Sequence, residues 1–314
     1  MKTLLFLLLP VLCLGQNTVD RAKTLYDAKK YDEARKLLTT VDDDHKDFAA
    51  AQYYLGRIAF DQKDFDTAED HFEEAIDAND KVADYHLWMG NVIGSLIQDA
   101  NPIKQGVLAP KIKDAYEKAV GLNPDLTEAR WGLISFYTEA PGFMGGSFEK
   151  AYAQADLIKK KNEADGYRAY GQIYNKEEKP AEAEKSYLLA YKANPKYIGV
   201  VTNFYINSKQ YDKLFSFLDE ALKAKPGNNL IEYQVGRACA ISGQQLDRGE
   251  QLLNKYLSYQ PLPDEPGHAG AQMRLGQIYE KKGNKAEAKK RYEAALKLDP
   301  SQKDAKEGLT RVSK

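Results

Sequence analysis

Two cysteines and four histidines among 314 residues leave this chain little from which to build a thiol or metal centre. His45, His71, His86 and His268 are scattered, with no His-Glu-x-x-His element and no close Cys/His ligand spacing. Charge of one sign is missing as well. Forty-five basic residues face 46 acidic ones, so no net field draws the chain to nucleic acid. A mean hydropathy of −0.60 argues against a polytopic membrane protein. Aromatics, by contrast, are plentiful: there are 21 tyrosines. With 43% apolar and 29% charged residues, the length suits two compact domains or one elongated repeat array, and repeats decide between them.

One apolar run stands at the N-terminus. Lys2 supplies a positive start, Leu4 to Leu14 an apolar stretch broken by Pro10, and Cys13-Leu14-Gly15 a small-x-small cleavage site ahead of Gln16. The run is about 11 residues, against the roughly 20 needed to cross a bilayer. Residues 1–15 read as a signal peptide, with a mature chain from Gln16 that is exported to the periplasm or secreted. Two alternatives stand beside this reading. Lipoprotein processing at Cys13 would need a small residue just before the cysteine, where Leu12 stands; the other is a packed N-terminal helix. Removal of the signal leaves Cys239 without a partner for an intramolecular disulfide.

Residues 269–302 are the most regular stretch, with Leu275-Gly276, Tyr279, Gly283, Ala288, Tyr292, Ala295 and Pro300. Two helices packed closely need small residues where their backbones approach and large ones three or four positions away. This stretch resembles the tetratricopeptide repeat, whose 34-residue pattern wants a Leu-Gly pair, an aromatic, a turn glycine, small residues around a second aromatic and a closing proline. Only the early tryptophan is replaced, by Gln272.

Weaker copies align upstream. They occupy about 15–48 (Leu25, Tyr31, Ala34, Leu38), 49–82 (Leu55-Gly56, Phe65, Ala68, Phe72), 83–126 (Met89-Gly90, Ile112, Tyr116, Pro124) and 127–163 (Trp131, Leu133, Tyr137, Ala151). Three more follow at 164–194 (Gly171, Tyr174, Tyr187), 195–228 (Tyr205, Tyr211, Leu218, Pro226) and 229–262 (Gly236, Cys239, Leu253, Pro261). Residues 303–314 read as a cap helix. The resemblance implies an all-α fold, a right-handed superhelical solenoid of about eight helix pairs plus the cap, forming a single array over 16–314.

Two segments depart from the pattern. About ten extra residues fall within Gly94 to Pro110, where Asn-Pro, Gln-Gly and Ala-Pro dipeptides suggest a looped excursion. Ala140 to Ser147, rich in glycine, reads as an enlarged inner loop. These central segments resemble exported bacterial members of the family with long inter-helix loops, a group that implies no defined activity.

Candidate chemistry is thin. Ser147-Phe-Glu-Lys150 matches the Ser-x-x-Lys element of penicillin-binding enzymes, but the companion Ser-Asp-Asn and Lys-Thr-Gly elements are missing. Ser147 is better read as a helix N-cap. Gly142, Gly145 and Gly146 precede no Gly-Lys-Ser/Thr, so they read as turn residues that present Phe143 and Met144 to a partner. Asp42-Asp43-Asp44-His45 lacks the ligand spacing of a calcium loop and reads as a solvated turn, and Cys239 as a packing residue. No catalytic residue, metal ligand or cofactor is expected.

The resemblance implies that first helices line a concave groove through positions five, nine and twelve of each repeat. These are Tyr53, Arg57 and Phe60; Leu87 and Asn91; Trp131 and Ser135; Arg168, Gln172 and Asn175; Tyr233 and Arg237. Aromatic bodies would supply contact area, and arginine and amide groups would orient an extended peptide or its carboxylates. Packing between repeats is the competing role for Tyr53, Trp131 and Tyr233. Chaperone-binding relatives carry a lysine followed four residues later by an asparagine, a pair that Tyr53/Arg57, Leu87/Asn91, Arg168/Gln172 and Tyr233/Arg237 do not reproduce. The chain is thus read as a non-enzymatic scaffold or adaptor of the bacterial cell envelope, binding a protein or peptide and neither nucleic acid nor a membrane span. A self-assembling structural protein and an enzyme using the Gly142 to Lys150 loop are the alternatives.

Overall fold

Short polar side chains start many of the helices. Asn17, Asp64, Asn101, Asn162, Asn228 and Asn284 each stand one residue ahead of a helix and accept a bond from an early backbone N–H that has no partner inside the helix. In this computed structural model, which describes residues 17–314, the described residues form seventeen α-helices and no strand. The signal-peptide and Cys13 readings lie outside the described residues.

The helices fall into two compact units, divided after Ile158. In the first, α1 (Thr18–Asp27) pairs with α2 (Tyr31–Leu38), α3 (Phe48–Asp61) with α4 (Phe65–Ala78), and α5 (Ala83–Leu96) with α6 (Pro102–Leu122). α7 (Thr127–Glu139) and most of α8 (Phe148–Lys161) complete it. In the second, α9 (Glu163–Lys176) pairs with α10 (Pro180–Ala193), α11 (Ile198–Asn207) with α12 (Tyr211–Ala224), α13 (Asn229–Ser242) with α14 (Leu246–Tyr256), and α15 (His268–Lys281) with α16 (Lys285–Leu298). α17 (Lys303–Val312) packs on α15 and α16.

The turns inside the pairs share one backbone device. Lys29, Lys63, Glu178 and Lys209 adopt φ of 55° to 63°, and Gly243 and Gly283 φ of 80° and 77°, each just past the first helix. One left-handed residue ends the helix and reverses the chain within three or four residues. The pairs are drawn together by glycine under an aromatic ring. A Cβ on Gly56, Gly90 or Gly276 would come under 3.0 Å from Phe72, Tyr116 or Tyr292. The ring occupies the space a side chain would need, so the two backbones can approach closely.

Each unit buries its apolar residues in successive clusters. Val19, Ala34, Leu38, Leu55 and Ile58 form one in the first unit. In the second, Ile198, Leu214, Leu218 and Val235 are continued by Leu253, Tyr256 and Leu275, and then by Tyr292, Ala305 and Val312.

The excursion expected within Gly94 to Pro110 is mostly helix. α5 runs to Leu96, and α6 begins at Pro102 and continues through Pro110, which leaves residues 97–101 as the connection. Asn101 caps the N–H of Lys104 at 2.9 Å, and Pro102, whose missing N–H costs nothing in the first turn, preorganises the start. Pro110 gives up only the bond to the carbonyl of Gly106. Burial of Leu108, Ala109 and Ile112 on the same helix offsets that loss. In the Ala140 to Ser147 segment the chain makes a single 3-10 turn over Gly142–Met144.

Candidate functional site

Arginine on a helix needs neighbours that tolerate a charge, and in the first unit those neighbours are aromatic. Arg57, on α3, lays its guanidinium 3.8 Å from the Trp88 ring centroid. Its two terminal nitrogens donate to the hydroxyls of Tyr53 at 2.8 Å and Tyr26 at 2.9 Å. Tyr26 and Tyr31 both donate to the Asp61 carboxylate, at 2.8 and 3.0 Å. Burial, together with the Asp61 bond, pushes the Tyr26 hydroxyl far above its ordinary range, so it stays a donor. Tyr53 also packs 5.2 Å from Tyr85 and 6.0 Å from Phe72. Tyr53 and Arg57 therefore hold each other, and the half-buried guanidinium is already engaged on three sides.

Phe60 and Asn91 line a different place, a cavity of about 400 Å³ between α3, α5, α6 and α7. Its walls include Tyr116, Ser135, Phe136 and Glu139, and Asn91 accepts the Tyr116 hydroxyl at 2.8 Å. Gly94 leaves its rim open. Trp131 is half-buried on α7, and Leu87 is buried on α5.

The nearby 3-10 turn holds Phe143 at 89% exposure, whereas Met144 folds back over Gly106 of α6. Ile103 and Val107 on the same stretch of α6 are exposed too. Gly145 has a φ of +102°, and a Cβ on Gly146 would collide with the Ala140 carbonyl, which accounts for both glycines by backbone need alone. The Ser147 hydroxyl accepts from the Lys150 N–H at 3.3 Å, the geometry of a helix cap. The Lys150 ammonium lies 5.6 Å from the Tyr137 ring centroid.

In the second unit, Arg168, Gln172 and Asn175 line one cavity of about 530 Å³. α9 supplies these three; α11 supplies Val200, Asn203, Phe204 and Asn207 on the opposite wall, with Ser208 just beyond it. Side-chain amides dominate, and an amide offers both a donor and an acceptor, as a peptide backbone does. Asn203 links onward, accepting from Arg237 of α13 at 2.5 Å. A second cavity of about 400 Å³ follows, lined by Ala240, Ile241, Gln277, Glu280, Lys281 and Arg311. Glu280 is held below the ordinary glutamate range by Arg311, bonded at 2.8 and 3.1 Å, and by the Tyr292 hydroxyl. Tyr233, expected in the groove, is 6% exposed and packs 5.0 Å from Tyr256. It is a core residue, because the first-helix position it occupies turns toward α14.

Sequence reasoning missed Asn203, Asn207 and Arg274, whereas Gln277 is the ninth residue of the 269–302 repeat, an expected groove position, and lines the second cavity. Asn203 had a signal: it is the ninth residue counted from Pro195, the start of a repeat whose missing glycine drew notice away from its polar positions. Arg274 stands off the five-nine-twelve positions and had none.

Other polar groups have structural partners. His86 bonds the Asp80 carbonyl, His268 the Tyr259 carbonyl and His71 the Gln52 side chain. Asp42 to His45 form an exposed turn. Among the described residues, no group of three or more His, Cys, Asp or Glu is placed to hold a metal ion, and no helix is long and apolar enough to cross a membrane.

Comparison with known proteins turns on the repeats. Tetratricopeptide repeat models match residues 19–83, 164–197 and 269–302. No curated protein matches the chain. Among solved structures, a tetratricopeptide repeat protein from Parabacteroides merdae is similar at a TM-score of 0.53 and 13% identity, over 95% of this chain and 98% of that one. The C-terminal part of a repeat-containing protein of the same kind from Cytophaga hutchinsonii gives a TM-score of 0.46 and 15% identity, over 93% and 99%. The first likeness is one of fold. Proteins built on this repeat generally serve as scaffolds for protein–protein contact and are generally non-catalytic.

Proposed function

We propose that this chain, a tetratricopeptide repeat protein, is a scaffold of the bacterial cell envelope that binds an extended segment of a protein partner along the first helices of its second unit. The observation that carries the reading is the amide-lined cavity between α9 and α11, where Gln172, Asn175, Asn203 and Asn207 converge with Arg168. Paired donors and acceptors on both walls suit an extended backbone, whose N–H and C=O groups need both. Photo-crosslinking in cells tests this. A crosslinker at Gln172 or Asn207 is expected to trap one protein partner, and a crosslinker at Lys185 on α10 is expected to trap none. Equal capture from both helices would sink the groove.

Envelope localisation rests on Lys2 and the Leu4 to Leu14 run. Cell fractionation with N-terminal sequencing is expected to find an exported chain beginning at Gln16. A cytoplasmic chain with Met1 intact would refute export, and a lipid-modified Cys13 would replace the soluble form with an anchored one. Self-assembly is a second reading, favoured by the exposed Ile103, Val107 and Phe143 of the first unit. Light scattering that finds a monomer at every concentration would remove it.

A further inference from the structure

Buried or half-buried arginines normally meet a carboxylate, because desolvating a guanidinium without a counter-charge is costly. Most arginines of the second unit follow this rule: Arg248 bonds Asp219 at 2.5 Å, Arg291 bonds Glu287 at 2.9 Å, and Arg311 bonds Glu280 at 2.8 Å. Arg237 and Arg274 break it. Arg237 donates only to neutral amides, Asn203 at 2.5 Å and Gln234 at 3.3 Å. Arg274 donates to the amide of Gln277 at 2.9 Å, and its Nε is sealed from water with no hydrogen-bond partner. Both side chains are half-buried, on the packed helices α13 and α15. Burial and the neighbouring Arg274 charge hold the Arg237 guanidinium below its ordinary range, so the two cations oppose each other.

Their hydrogen-bond partners tie them to the two cavities of the second unit. Asn203, which fixes Arg237, belongs to the cavity between α9 and α11; Gln277, which fixes Arg274, belongs to the cavity bounded by α13, α15 and α17. Each guanidinium is thus bonded to an amide in the wall of one of the two cavities, a group that neutralises none of its charge. We infer that Arg237 and Arg274 form a recognition site for acidic side chains of an extended protein segment, which supplies the missing counter-charge as its backbone runs along the amides of α9 and α11. This assignment rests on the groove reading and adds the chemistry of its ligand. Charge complementarity favours carboxylates, since a guanidinium fork can donate to both oxygens of one group. A segment spanning two cavities favours a polypeptide over a single anion.

Fluorescence anisotropy on the full chain tests the pair, with fluorescein-labelled decapeptides of alternating glutamate and serine or alternating glutamine and serine. The glutamate peptide is expected to bind about tenfold tighter than the glutamine peptide, with an advantage that shrinks as chloride rises. Arg237→Gln and Arg274→Gln are each expected to erase that advantage, and Arg237→Lys to keep part of it. A purely structural role for the pair would lower Tm on replacement; relief of repulsion should leave Tm unchanged or higher. Equal binding of the two peptides would overturn the charge preference while leaving the groove standing, and failure of both to bind would remove the groove with it. Displacement of the glutamate peptide by inorganic phosphate beyond that by chloride at matched ionic strength would make the pair a phosphate site and overturn the peptide assignment.

Discussion

Cys239 shows how far one residue's surroundings set its chemistry. It is fully buried, and its Cβ lies where a side chain on Gly249 would have to go. Burial pushes its thiol up to about 11, so the thiolate is scarce at neutral pH. Iodoacetamide is therefore expected to leave Cys239 unmodified in the native chain and to alkylate it in urea, as read by peptide mass mapping. Rapid native labelling would show that α13 opens from α14 far more readily than this packing allows. Arg57 teaches a related lesson. Its position named it as a groove residue, and nothing in the string said that Trp88, more than thirty residues on, would lie beneath its guanidinium.

At the scale of the helix, the recurring unit is a pair closed by a left-handed residue and bridged to the next pair by tyrosine. Gly283 carries φ of +77°, a conformation in which a Cβ costs about 1 to 2 kcal/mol. Gly283→Ala is thus expected to lower stability by about 1 kcal/mol in urea unfolding, with no local crowding to blame, because nothing lies within 4 Å of the added carbon. An unchanged midpoint would mean the turn relaxes to another conformation.

The bridges recur with the same logic: Tyr137 donates to Glu117, Tyr205 to Glu184 and Tyr279 to Glu250. In the last of these, Lys282 first, and then Tyr279, hold Glu250 below the ordinary glutamate range. A carboxylate depressed in this way stabilises the fold above its unfolded value, about 4.3, and stops doing so as pH falls through the lower folded value. Glu280, depressed chiefly by Arg311, acts in the same direction. Thermal unfolding between pH 6 and 2 is expected to show the second unit losing stability below about pH 4.3, with a shallower loss in Glu250→Gln. Identical acid profiles for the two chains would remove Glu250 from the account.

Across a whole unit, clusters touch mainly their neighbours, so damage should stay local. Gly308 of α17 packs against the Tyr292 ring, which a Cβ there would strike. Gly308→Val is expected to cost about 1 to 3 kcal/mol by overpacking and to speed hydrogen exchange in α15, α16 and α17 while leaving α9 unchanged. Exchange that rises equally in α9 would make the second unit a single cooperative block.

How much of this was legible follows from range. The family resemblance marked Gly276 and Tyr292 as signature positions, and the structure sets the ring of Tyr292 over Gly276, a local packing within one helix pair. Periodicity read 94–110 less well, since proline and glycine mark turns only when no cap precedes them, and here Asn101 and Pro102 restart a helix. Sequence by itself determined that the described residues are helical and that many small and large apolar side chains at repeat positions, such as Ala34, Leu38, Ala68 and Phe72, fill the interior. Only the tertiary structure decided which polar residues became neighbours: Tyr233 turned inward, Arg57 was taken by aromatics of its own unit, and Arg237 was left beside Arg274 with amides for company. Helix formation and pair packing depend on residues a few positions apart, whereas the charge balance of a surface depends on which helices stack, and that is fixed only when the whole unit folds.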